Sequence, residues 1–406
     1  MPLMPGPRPQ SDDAHDHDLL VVGDGVIGLA VALACRARET DLDIAVVGPV
    51  DRTGGASPAA AAMLTALAEI EPDTLADDGR RAKFDLARRS VPRWSGWIAH
   101  HAARAGLPSP TIAPGTIVTV TDPGVDGPTL DAIRAAAALH GIETESLELR
   151  DVPGLRPRRT PPEAPALRIA GEGAIDPLEV LTVLDAAART SRIRRIADHA
   201  VGLEEGVVTL ASGERVRADR IVVANGAHAS RLLDTHAALA PRIPRVRFGT
   251  GVGIRAVLPN DADIPREVVR TPNRPDGHGV YFAPHGHGRF YIGATCDIAD
   301  EPRELPRVAS LRRILDTAMD DLTATIGRAE CRPVLGHRPV SADGLPILGR
   351  ATETIWLATG THRDGLVSAP EIADLLAEEI TTGVDLVPAP LRACRLENEI
   401  LHEAGR

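Results

Sequence analysis

The sequence predicts a mixed α/β chain, α+β overall, in which one doubly wound domain is assembled from separated stretches and a second domain is built on an antiparallel sheet. Three observations predict it. Near the start, an apolar run of strand type (residues 19–22) is followed by Gly23, Gly25 and Gly28, then by helical composition and a second β-rich run at 44–47. Near the end the same order returns, with a strand at 355–358, a glycine-bounded loop at 359–365 and a helix at 366–381. Between them, residues 246–258 and 279–296 are rich in β-type residues. Strand–turn–helix units build parallel sheets, whereas strands joined by short turns pair antiparallel.

The first unit has the G-x-G-x-x-G spacing of a Rossmann-like dinucleotide site. The first glycine permits the turn, the second lets a pyrophosphate approach the backbone, and the third lets helix and strand pack closely. The helix N-terminus, at Val26 and Ile27, then offers free N–H groups to the diphosphate. Two details depart from the pattern. The ribose-binding acid is expected near Gly48, which has no side chain to offer, so Asp51 is the nearest substitute. Asp24 sets a carboxylate inside the turn, at a cost unless it points outward.

Further along, residues 53–71 read as a helix after Pro58 with Ser57 as N-cap. The small residues Ala59, Ala60, Ala61 and Ala62 either lie against a flat ligand or simply favour helix. Residues 80–105 read as one amphipathic helix, 115–121 as a strand, 129–140 as a helix and 155–165 as a connection between domains. Asp176 and Pro177 start a helix over 174–188. Strands at 207–210 and 220–224 follow, the second ending in Ala224, Asn225 and Gly226. Residues 311–326 read as a helix.

Length and composition bound the function. The 406 residues carry a net charge of −11, which argues against nucleic acid. The apolar run at 19–35 is broken by Asp24 and three glycines, against a membrane span. Residues 1–17 read as a disordered polar tail of a cytoplasmic protein. The four cysteines lack C-x-x-C spacing, and His285, His287, His100 and His101 lack further ligands, so no metal is expected.

In order along the chain, the glycine turn, ASPAAAAML (56–64), the Asp176–Pro177 start, VVANGA (222–227), VYFAP with IGAT (280–295), RPVSADGLPILG (338–349) and GTHRDGLVSAP (360–370) resemble the D-amino acid oxidase superfamily of FAD-dependent amine oxidoreductases. Within it the chain is most similar to the glycine oxidase, ThiO-type branch. The resemblance implies noncovalent FAD, since Gly336 stands where covalent relatives carry cysteine. It implies an FAD-binding domain over 18–90, 170–240 and 336–390, a substrate-binding domain over 91–169 and 241–335, and a tail at 391–406. Gly23, Gly25, Val26, Ile27 and Gly28 would hold the diphosphate. Ser57, Ala59 to Ala62 and Met63 would lie along the flavin, Val201 would meet the adenine, and Ala224 with Gly226 would flank the dinucleotide. Gly360, His362, Arg363, Asp364, Gly365 and Leu366 would wrap the pyrimidine end.

Arg338 matches the family arginine that forks onto the substrate carboxylate; outside that motif, it reads more readily as a surface ion pair with a nearby carboxylate such as Asp343 than as a ligand clamp. Tyr281 matches the tyrosine reaching the same carboxylate, Arg363 a second arginine near the site, and Met63 lies beside them. Departures are Ala62, where relatives have glycine, and Thr250, where a glutamate or glutamine is usual. The implied reaction is oxidation of a C–N bond in a small amino acid or secondary amine carboxylate, with oxygen as acceptor and hydrogen peroxide as product. The alternatives are a flavin dehydrogenase using another acceptor, a tailoring oxidase for an N-substituted glycine, and a non-catalytic nucleotide-binding regulator. Homo-oligomerisation stays open.

Overall fold

The computed structural model describes residues 16–260, 262–273 and 279–396. Its first sheet runs, across the sheet, Ile347–Arg350, Ile355–Thr359, Arg215–Val223, His17–Val22, Ile44–Gly48, Arg194–Ala197. All neighbours are parallel except the outermost pair, Ile347–Arg350 with Ile355–Thr359. The central strands are apolar on both faces because both are covered. Helices Val26–Arg38, Pro177–Thr190 and Ala369–Thr382 share one core with Leu19, Val21, Ile44 and Trp94. On the other face, Leu20, Val22, Ile221 and Leu357 pack with the hairpin Ala200–Glu204/Val207–Leu210 and with Leu232 and Leu233.

The second sheet is centred on Val246–Val257, paired along its whole length with Glu330–Ser341 and on its other edge with Arg289–Gly293 and Asp297–Ala299. Tyr281–Pro284 and Val268–Arg270 extend it to Ile112–Thr119 and Pro165–Ile175. It is antiparallel but for Val268–Arg270, which runs parallel to Ile112–Thr119. Among the described residues no helix is long and apolar enough to cross a membrane.

Several expectations are corrected. The helix expected over 59–71 is only Ala56–Ala59; Met63 and Leu64 pair instead with Ala174 and Gly173 in the second sheet, a tertiary contact overriding alanine propensity. The helix over 80–105 breaks at Pro92 into Asp78–Ser90 and Trp94–Ala105, since proline removes a donor and crowds the preceding turn. The helix after the glycine-bounded loop at 359–365 begins at Ala369 rather than at 366.

The proposed domain boundaries shift with these elements. Trp94, Ile98 and Ala102 sit in the first sheet's core, so the division at residue 91 falls inside a packed layer. The divisions at 170 and 336 cut the strands Pro165–Ile175 and Glu330–Ser341, both of the second sheet. His17 pairs with Ala218, which takes it out of the expected tail; residues 1–15 lie outside the described residues. Arg395, 7% exposed, holds Asp343 through two bonds of 2.7 and 2.9 Å, so the C-terminal segment packs as far as it is described, and 397–406 lie outside.

Candidate active site

The carboxyl ends of the first sheet's parallel strands and one face of the second sheet enclose a cleft of about 420 Å³. The glycine turn forms its floor. Gly23 has φ +118, and a Cβ there would sit 2.3 Å from the Ala224 carbonyl oxygen; a Cβ on Gly28 would sit 1.9 Å from that of Gly23. Gly28 therefore shapes the turn without lining the cleft, whereas Gly23, Gly25, Val26 and Ile27 line it. The helix Val26–Arg38 has no acidic residue in its first turn. Ser57, expected to cap its own segment, instead accepts the Val26 N–H at 3.1 Å, leaving the other first-turn amides to a ligand.

Asp24 points inward, not outward. It is 4% exposed and pairs with Arg52 at 3.0 Å and Arg195 at 2.6 Å. Burial pushes its carboxyl up; the two guanidinium groups pull it back without fully offsetting that. A diphosphate here meets a carboxylate whose charge is already answered. The alanine run lies along the same cleft: Ala59 to Met63 all line it. Ala62 holds φ 54, the left-handed conformation that suits the glycine the resemblance implies there and costs an alanine roughly 1 kcal/mol.

At the other end, the second sheet contributes side chains. Arg338, on Glu330–Ser341, lies over Gly251 of the paired strand, where a Cβ would approach its Cζ to 2.8 Å. It donates to the Thr295 carbonyl at 2.9 Å and has no carboxylate partner among the described residues; Asp343 is taken by Arg395. Tyr281 and Tyr291 stack beside it, with centroids 6.1 Å apart and planes at 13°. Tyr291 donates to the Ala59 carbonyl at 3.1 Å, while the Tyr281 hydroxyl has no hydrogen-bond partner among the described residues. Burial pushes the Tyr281 phenol up and Arg338 opposes it, so Tyr281 is a neutral donor at neutral pH.

A second charged group stands next to these. Buried Arg270 pairs with Glu69 and donates to Asn273 at 2.8 Å. Arg363 lies 3.6 Å from Glu69 and 3.3 Å from Glu71. Burial alone would raise the Glu69 carboxyl, but Arg270 and Arg363 outweigh it and hold it at about 2. The turn carrying Glu69 is fastened by Glu172, whose Oε1 accepts the Ala66 and Leu67 N–H groups at 2.7 Å. The only lysine, Lys83, reaches Asp364 in the flavin loop at 3.4 Å.

Of the sequence-derived residues, Ser57, Ala224, Gly226, Arg338, Tyr281, His362, Arg363, Asp364, Gly365 and Leu366 also line the cleft. Asp51, Val201 and Gly360 do not: Asp51 is turned to solvent and bonded to the Thr53 N–H, Val201 is 51% exposed beside the lining residue Ala200, and Gly360 turns the chain into the loop. Lining residues that sequence reasoning missed include Arg52, Glu69, Arg270, Asn273 and Tyr291. Tyr291 was within reach, because a short hairpin sets it on the face of Tyr281. Glu69 and Arg270 are distant in sequence and carry no local signal.

The residues fit FAD. The glycine turn has room for phosphate only without side chains, the first-turn amides other than that of Val26 meet no side-chain acceptor among the described residues, and small alanine side chains line the adjoining wall. A side chain on Gly336 would meet the Ala59 Cβ at 2.5 Å, which leaves no space for a cysteine tether.

A family model described as FAD dependent oxidoreductase matches residues 18–379. Glycine oxidase of Geobacillus kaustophilus is 27% identical over 393 residues, covering 93% of this chain and 97% of that protein. The bifunctional protein ThiO/ThiG of Synechocystis sp. is 26% identical over 378 residues, covering 89% of this chain and 51% of that protein; the chain spans about half the length of that relative. The crystal structure of the Geobacillus glycine oxidase superposes with a TM-score of 0.79 at 22% identity, over 94% of this chain and 99% of that one, a likeness of fold. Because the matched span runs from the first strand through the flavin loop, and so takes in both walls of the cleft, the chain belongs to the DAO family of FAD-dependent oxidoreductases.

Proposed function

We propose that the protein oxidises the C–N bond of a small amino acid or secondary amine bearing one carboxylate, in the manner of a glycine oxidase, with noncovalent FAD and with oxygen as acceptor. One observation carries the reading: among the described residues the Arg338 guanidinium sits in the cleft with no carboxylate to answer it, beside the Tyr281 hydroxyl, which has no hydrogen-bond partner among them either. A cation left without a counter-charge in such a site awaits an anionic ligand, and a forked guanidinium matches a carboxylate. Charge balance supports a single carboxylate, because Arg270 and Arg363 are already matched by Glu69 and Glu71.

Bound FAD supplies the two-electron acceptor for the α-carbon hydride. Arg338 and Tyr281 fix the carboxylate and thereby orient the α-carbon toward the alanine wall. Orientation replaces acid–base catalysis for much of the rate, provided the amine binds neutral. Water then hydrolyses the imine, so that amine, oxygen and water yield a carbonyl acid, ammonia or a primary amine, and hydrogen peroxide.

The test is a flavin spectrum joined to an amine panel. Purified protein is expected to show flavin absorbance, to bleach anaerobically with glycine, sarcosine, D-alanine or proline, and to form peroxide in air. Protein that gains no flavin absorbance when FAD is added would end the reading. Bleaching by an amine without peroxide in air would replace oxygen by another acceptor.

A further inference from the structure

In a dinucleotide fold the acid that bonds the adenosine ribose stands at the end of the second strand. Here that place is Gly48, the last residue of Ile44–Gly48, and the structure fills it from another direction. A Cβ built on Gly48 would lie 2.2 Å from Asp24 Cγ and 2.5 Å from Asp24 Oδ1. A side chain at 48 and the Asp24 carboxyl therefore exclude one another. Asp24, Gly48 and Arg52 all line the cleft.

The carboxyl is fixed as well as placed. Oδ2 accepts from Arg52 Nε at 3.0 Å and from Arg195 at 2.6 Å, whereas Oδ1 accepts no side-chain hydrogen bond among the described residues. Arg52 is itself gripped by both oxygens of Asp185, at 2.8 and 2.6 Å, and Arg195 also donates to the Pro49 carbonyl at 2.7 Å. Arg52 holds a left-handed φ of 53. A carboxylate this close to a diphosphate would be repelled by it; two cations on one oxygen offset that and leave the other oxygen as an acceptor at the strand end.

We infer that Asp24 is the ribose-binding acid of this chain: its Oδ1 accepts a hydroxyl of the adenosine ribose of bound FAD, in place of a side chain at 48, with Arg52 and Arg195 as positioning residues. The inference rests on FAD binding and not on the identity of the amine substrate.

The experiment titrates protein stripped of flavin with FAD and with an FAD analogue whose adenosine ribose lacks its 2′- and 3′-hydroxyls, following flavin fluorescence. The wild type is expected to prefer FAD by roughly 10- to 100-fold, the value of a hydrogen bond to a charged group. In Asp24→Ala that ratio falls to about one, and in the double variant Asp24→Gly with Gly48→Glu it returns. If Asp24 were only structural, its replacement would weaken both ligands equally and the ratio would stand, which overturns the inference. Should Asp24→Ala fail to fold, Gly48→Ala displaces the carboxyl without changing any charge and is read in the same way. A wild type that binds neither ligand would instead strike the FAD reading on which this rests.

Discussion

The two ends of the cleft handle charge in opposite ways. At the adenosine end a carboxylate that would oppose a diphosphate is answered by Arg52 and Arg195, themselves held by Asp185, and the ligand meets backbone amides and bare glycines. At the proposed substrate end Arg270 and Arg363 are matched by acids, but Arg338 is not matched by any among the described residues. In the proposed reading the first arrangement would hold the FAD diphosphate through main chain rather than through a matching side-chain charge. The second would be selective in the same reading, because the counter-charge to Arg338 would arrive with the substrate.

The comparison breaks most severely at the backbone-built end. Gly28→Ala puts a methyl 1.9 Å from the Gly23 carbonyl oxygen, and no rotamer relieves a contact with main chain. The expected outcome is protein purified without flavin absorbance, whatever its content of secondary structure. Normal flavin content would mean that the turn is not what holds the diphosphate.

At the substrate end, Arg338→Ala is expected to raise the Michaelis constant for an amino acid by about 10²-fold or more while flavin content is unchanged, since a charge-assisted fork is lost but the cofactor cradle is not. Arg338→Lys keeps the charge and loses the fork, so it recovers only part of the loss. Equal losses of flavin and of substrate affinity would show that the ends are not independent. Third in size, Glu69→Gln leaves buried Arg270 without its counter-charge, at a cost of about 3 kcal/mol in unfolding free energy, read from the fall in the urea midpoint and the m-value. A change within experimental scatter would mean that Asn273 and the Thr271 carbonyl suffice for Arg270.

The same contrast explains what could be read in advance. The adenosine end is local: strand, glycine turn and helix are contiguous, so spacing revealed Gly23, Gly25 and Gly28, and Asp176 caps its helix as its place before Pro177 implied. The substrate end is assembled from residues 69, 270, 281, 291, 338 and 363, and only its motif-bearing members, Arg338, Tyr281 and Arg363, were legible. Glu69 was hidden because the segment around it reads as alanine-rich helix, yet the second sheet captures Met63 and Leu64 and turns the chain. The strand Glu330–Ser341, whose ladder positions Arg338, contains two prolines and a glycine and does not look like a strand by composition.

The smallest effect lies beneath the substrate end, at Glu172. Its Oε2 has no partner among the described residues, and burial lifts its carboxyl from an ordinary 4.5 to about 7, against the amide bonds from Ala66, Leu67 and Ala68. Between those two values the folded chain keeps a proton that the unfolded chain has released, so stability from this group is complete below about 4.5 and is lost as pH rises through 7. Glu172→Gln cannot titrate. Comparing thermal midpoints from about pH 8 down to about pH 5, the wild type is expected to gain on the variant by on the order of a few degrees. If the wild type gained toward alkaline pH instead, the three amides would be winning over burial, and the turn that carries Glu69 would be held by an ionised carboxylate, making the substrate end as fully charge-matched below its surface as the adenosine end is at its own.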